Sequence, residues 1–187
     1  MTSMALRPIE SLGYPGRTYK FFNGSTVYPF GYGLSYTNFS YSLTAPTRSV
    51  HISLTRLQQC RSMAYSSDSF QPECSAVLVD DLSCDESFEF QVAVKNVGSM
   101  DGSEVVMVYS SPPSGIVGTH IKQVIGFERV FVKVGNTEKV KFSMNVCKSL
   151  GLVDSSGYIL LPSGSHTIMA GDNSTSVSFP FQVNYHN

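Results

Sequence analysis

From Tyr36 onward, apolar and polar side chains alternate in short runs, the period-two signature of half-buried β-strands. Phe39, Tyr41 and Leu43 alternate with Ser40 and Ser42, and Phe88, Phe90, Val92 and Val94 alternate with Glu89, Gln91 and Ala93. A turn is predicted at Asn96–Gly98, and Val105–Tyr109 then reads apolar on both faces. Such a strand is either central or has its outer face covered by another domain. Val130, Val132 and Val134 predict a further strand, closed by a Gly135-Asn136 turn. Val140, Phe142, Met144 and Val146 stand against Lys139, Lys141, Ser143 and Asn145 in the next. Tyr158–Leu161 and His166–Ala170 read as a hairpin about Pro162-Ser163-Gly164. The last strand carries Val177, Phe179, Phe181 and Val183 inward, and Pro180, lacking an amide donor, places it at a sheet edge. Seven or more short strands without an amphipathic helix predict an all-β fold, an antiparallel two-sheet sandwich of the immunoglobulin-like kind.

Two segments fall outside this pattern. Residues 1–35, rich in Gly, Pro and Tyr, predict an extended connector with turns at Gly13–Gly16 and Asn23-Gly24, which leaves 36–187 for the sandwich. Gly31-Tyr32-Gly33 is no dinucleotide loop, since no third glycine and no helix follow. Residues 44–84 form a long insertion, irregular over 44–75 with at most one short strand near Val50–Leu54.

Composition narrows the function classes. A chain of 187 residues can bury a real core, and its 42% apolar and 14% charged content describes a globular protein. A formal charge of −1 with scattered Lys and Arg offers no basic stripe for nucleic acid, and no apolar run is long enough for a membrane helix. Residues 1–12 lack a signal-peptide pattern. Sequons at Asn23, Asn38 and Asn173 nevertheless suit a secreted glycoprotein. Cys60, Cys74, Cys84 and Cys147 show no metal-type pair and predict two disulfides, with all three pairings open. Three of the four bracket residues 55–84, which points to stapling of the insertion rather than of the core.

Candidate chemistry is sparse. Glycoside hydrolysis needs two carboxyl groups facing one sugar. The pairs Asp80-Asp81 and Asp85-Glu86 are neighbours along the chain and point to opposite faces of extended backbone. The histidines have no ligand-like spacing: His120 and His186 read as solvent-facing and His166 as a hydrogen-bonded core residue. No Gly-x-Ser-x-Gly elbow occurs. Neither catalytic residues, nor a metal, nor a cofactor is expected. Tyr14, Arg17 and Tyr19 combine aromatic faces with hydrogen-bond donors and are candidates for the rim of a sugar site. The loop Ser111–Gly118, leaving a two-sided apolar strand, is a candidate contact loop.

The run Gly13–Tyr36, with Tyr14-Pro15-Gly16-Arg17-Thr18-Tyr19 and Tyr28-Pro29-Phe30-Gly31-Tyr32-Gly33-Leu34-Ser35-Tyr36, resembles a known junction. In glycoside hydrolase family 3 it leads from the second catalytic domain into a C-terminal fibronectin type III-like sandwich, with plant β-D-xylosidases the nearest likeness. The resemblance continues through Val105–Ser110, Thr119–Val130 and Leu160–Ile168, in order and along nearly the whole chain. It implies an extracellular, plant cell-wall protein whose parent removes terminal xylose, and arabinose as a second substrate, from hemicellulose fragments with retention of configuration. That family's nucleophile and acid/base lie in two upstream domains, so no residue here inherits their roles. The implied partners are those catalytic domains and, through them, xylo-oligosaccharide. Two other readings stand beside this accessory role: an autonomous carbohydrate-binding module, weakened by the absence of Trp but kept open by ten Tyr, and a protein-interaction module.

Overall fold

In a computed structural model, residues 5–44, 46–171 and 176–186 are described, and they form a β-sandwich. A 3-10 turn (Glu10–Leu12) and a one-turn helix α1 (Thr18–Phe21) interrupt the connector. The strands that follow are β1 (Phe39–Thr44), β2 (Ser49–Ser53), β3 (Cys60–Arg61), β4 (Ala76–Leu78), β5 (Ser87–Asn96) and β6 (Gly102–Ser111). Then come β7 (Gln123–Val132), β8 (Thr137–Asn145), helix α2 (Val146–Leu150), β9 (Leu152–Val153), β10 (Ile159–Pro162), β11 (Gly164–Gly171) and β12 (Ser176–His186).

One layer is the sheet β1-β5-β8 and the other is β2-β12-β11-β6-β7. Alternation drives them together. Phe88, Phe90, Val92 and Val94 from one sheet meet Val106, Val108, Ile168, Phe179, Phe181 and Val183 from the other in a shared core. Phe88 lies 4.5 Å from Phe181 and Phe90 lies 5.3 Å from Phe179, ring centroid to centroid, so aromatic contacts bridge the layers. Burying each such ring contributes roughly 1.5–3 kcal/mol. A third small sheet, β3-β4-β10-β9, joins the insertion to residues 152–162.

Several sequence expectations change at the element level. The stretch 44–75 holds β2 and β3, and the insertion also supplies β4; their pairing depends on distant partners that no local periodicity reports. Val134 lies beyond the end of β7 and is exposed. Val146 is not in a strand. Asn145 caps α2 by accepting from the Lys148 amide at 3.0 Å, which turns the chain into a helix whose apolar side is buried. Pro162–Gly164 is a change of sheet, not a hairpin: β10 pairs with β4 and β9, while β11 pairs with β12 and β6.

Nor is β12 an edge strand, because β2 pairs with it in parallel over Gln182–His186. Pro180 is tolerated because that pairing starts two residues later. The Gln182 amide donates to Arg48 O, so the donor-free nitrogen two residues earlier points to the same side, before β2 begins.

Candidate interaction face

The outer face of the five-stranded sheet is set by register. Met107 is opposite Phe127, Val105 opposite Arg129 and Ser103 opposite Phe131, so these six side chains share one surface. Val105, Phe127 and Phe131 are 48%, 70% and 55% exposed. Alternation turns Val108 inward and Tyr109 to the outer face, and the register shift beside them leaves Ile125 of β7 as the extra residue.

The connector covers that tyrosine. Tyr109 Oη donates to Phe30 O at 3.3 Å, and the Lys122 ammonium lies 4.5 Å from its ring centroid. Gly31 has φ +88° and approaches so closely that a Cβ there would meet the Tyr109 hydroxyl and, at 3.1 Å, the Met107 sulfur. Leu34, 90% exposed, borders Val105 and Met107. An apolar surface of Leu34, Val105, Met107, Phe127 and Phe131 therefore remains beyond the connector's cover. β6 was legible as apolar on both faces; it is central, between β11 and β7, and part of its outer face is covered by the connector.

The proposed sugar-rim residues do not converge. Arg17 Nε donates to Tyr14 Oη at 2.7 Å, and Tyr14 Oη donates to Ala5 O at 2.9 Å, so this pair ties the connector to itself. Tyr19 points to the sandwich, accepting from the Val124 amide at 3.2 Å and stacking on Phe30 at 4.0 Å between centroids. The stacked ring opens an aromatic cleft of about 490 Å³ whose walls include Phe22, Tyr28, Phe30 and Lys122. Sequence reasoning missed this cleft, because its rings come from four points of an aperiodic segment.

The loop Ser111–Gly118 faces the insertion. Ser66 N donates to Gly115 O and Val117 N donates to Ala64 O, while Ile116 is buried. Asn23 and Asn38 are exposed, and Asn173 lies outside the described residues. Cys60 is bonded to Cys74 and Cys84 to Cys147. The first staples the insertion; the second, contrary to the bracket argument, reaches a buried cysteine of α2 and ties the insertion to the core.

The histidines are distributed as follows. His166 is buried, its Nε2 donating to Pro162 O at 3.0 Å, and burial lowers its pKa to about 4. His120 is half-buried rather than solvent-facing; burial, then the charge of Lys20, lowers its pKa to about 4 as well. His186 is exposed but pairs with His51 at 2.7 Å between Nε2 and Nδ1. Among the described residues no group of three or more His, Cys, Asp or Glu side chains is placed to hold a metal ion. Asp80 and Asp81 lie exposed in a 3-10 turn.

Comparisons with known proteins agree with this geometry. A family model of the fibronectin type III-like domain matches residues 104–174. β-D-Xylosidase 1 of Arabidopsis thaliana is 38% identical over 92% of the chain and 22% of its own length. β-Xylosidase/α-L-arabinofuranosidase 2 of Medicago sativa subsp. varia is 35% identical over 92% of the chain and 21% of its own length. A β-glucosidase from Listeria innocua, solved with glucose, superposes with a TM-score of 0.60 over 84% of the chain and 18% of its own, at 19% identity. The chain thus spans about a fifth of the length of the relatives it matches, in their C-terminal part. It carries a fibronectin type III-like domain and, connector included, is homologous to the C-terminal region of plant β-D-xylosidases of glycoside hydrolase family 3.

Proposed function

We propose that this chain is a non-catalytic accessory sandwich that stabilises the catalytic domains of its own polypeptide by packing against them. The observation that carries the reading is the exposed apolar surface of Leu34, Val105, Phe127 and Phe131 on an otherwise well-formed sandwich. Clustered exposed apolar side chains of this kind, here with Arg129 and Ser103 among them, mark contact surfaces. The connector runs onto the same face through Phe30 and Gly31, while its first described residues, Ala5, Leu6 and Arg7, lie beside His120, Gln123 and Asp154 at the other end of β7. The relatives' names, a β-D-xylosidase and a β-xylosidase/α-L-arabinofuranosidase, support a parent that removes xylose, and arabinose as a second substrate, from hemicellulose fragments. Tyr14 and Arg17 then act by holding the connector's shape at the junction, and an extracellular site suits the two disulfides and the exposed Asn23 and Asn38.

The test has two parts. The chain alone, incubated with a chromogenic β-D-xyloside, releases no chromophore. Supplied to a parent enzyme lacking this region, it restores the enzyme's thermal midpoint. Hydrolysis by the chain alone, or no effect on the truncated parent, overturns the reading.

A further inference from the structure

The connector's aromatic cleft has no role in the accessory reading. We propose that it is a saccharide-binding site, filled by a neutral oligosaccharide from solution or by a glycan carried on Asn23 at its edge. The rings are pre-positioned. Phe30 is 47% exposed yet has one face fixed against Tyr19 at 4.0 Å, and Tyr28 is 67% exposed yet stacked on Tyr32 at 4.9 Å. Rings already held by a neighbour lose little freedom when a ligand covers their open side, so their apolar area counts nearly in full.

The chemistry of the walls selects the ligand. Phe22, Tyr28 and Phe30 bring flat carbon surface suited to the C–H face of a pyranose, and Thr18, Thr26 and Lys122 line the same space. Sugars need that combination, one apolar face with hydroxyl partners around it. Among the described residues no carboxylate lines the cleft, so they offer no counter-charge to a cationic peptide. Its volume of about 490 Å³ lies within the usual range for small-ligand sites. Phe22 and Gly24 border the cleft and flank Asn23, whose side is exposed, so a glycan there starts at the mouth of the cleft.

Two arms separate the sources. Unglycosylated chain is titrated with xylotetraose while ring resonances are followed by NMR. Chain from a glycosylating host is compared with its Asn23→Gln variant, reading contacts between sugar protons and Tyr28 or Phe30. Saturable shifts at Tyr28 and Phe30, weakened at least tenfold by Tyr28→Ala, establish a site for free oligosaccharide. Sugar-to-ring contacts that vanish in Asn23→Gln establish the attached glycan as occupant. Neither signal in either arm, or shifts that Tyr28→Ala leaves unchanged, overturns the proposal. Because Tyr28 is exposed, its loss should not unfold the sandwich, and preserved core resonances verify that. The titration uses the chain alone, so it can fail while docking through Phe127 and Phe131 stands, and the reverse.

Discussion

His166 shows how one buried ring couples stability to acidity. Its pKa falls from 6.5 to about 4 because burial, above all, disfavours the imidazolium. The unfolded chain then binds a proton near pH 6.5 that the folded chain refuses until about pH 4. Stability is therefore full above pH 6.5 and is lost as pH falls toward 4. For this group alone the loss by pH 4.5 is on the order of 2 kcal/mol. Urea unfolding at pH 7 and pH 4.5 should show it, with a smaller difference in His166→Leu. An unaltered difference would exclude His166 as the source. Asn96 illustrates the opposite case, a buried amide with every partner found. Its Oδ1 accepts from Thr37 Oγ1 at 2.8 Å and from the Gly98 amide, while Nδ2 donates to Met100 O and Val132 O. Asn96→Ala should cost roughly 2–4 kcal/mol by leaving these groups unpaired in a dry interior, measured as a shift in urea midpoint.

At the scale of elements, two links behave differently from the strands they join. Cys84–Cys147 closes a separation of 63 residues and Cys60–Cys74 one of 14. By loop entropy the first contributes about 4 kcal/mol and the second about 3. Cys84→Ser/Cys147→Ser should thus lower the thermal midpoint more than Cys60→Ser/Cys74→Ser, and calorimetry of the two double variants decides it. Long alternating strands such as β5 and β8 were legible because each carries its own pattern of inward Phe and Val. β3, β4 and β9 were not, being two or three residues long and existing only through pairing with distant strands. The site was legible in β6, whose Val105 and Met107 announced an outer apolar face. Its partners Phe127 and Phe131 were missed, since the interruption at Gly126 and the bulge break the period of β7. Connector geometry was also hidden: Tyr14, Arg17 and Tyr19 are close in sequence, yet only the first two meet.

For the whole molecule, the question is whether the outer face serves the sandwich or a neighbour. Side chains that support the fold are inside, so truncating them makes cavities; Phe127 and Phe131 are outside and mostly wet. Replacing Val105, Phe127 and Phe131 together by Ser should leave the chain's own thermal midpoint within about 2 °C, since surface changes of this kind are near neutral. The same triple change should abolish binding of an apolar dye to the chain and its capacity to stabilise a truncated parent. A parallel Phe88→Ala variant, cutting a ring buried against Phe181, should behave in reverse and destabilise the sandwich by about 3–5 kcal/mol. If the triple variant instead unfolds like the core variant, the outer face belongs to the sandwich's own stability. If it stays folded and still stabilises the parent, the contact lies on another side of the molecule. The expected pair of results, a stable fold with lost docking, locates the partner on the strands that the connector leaves uncovered.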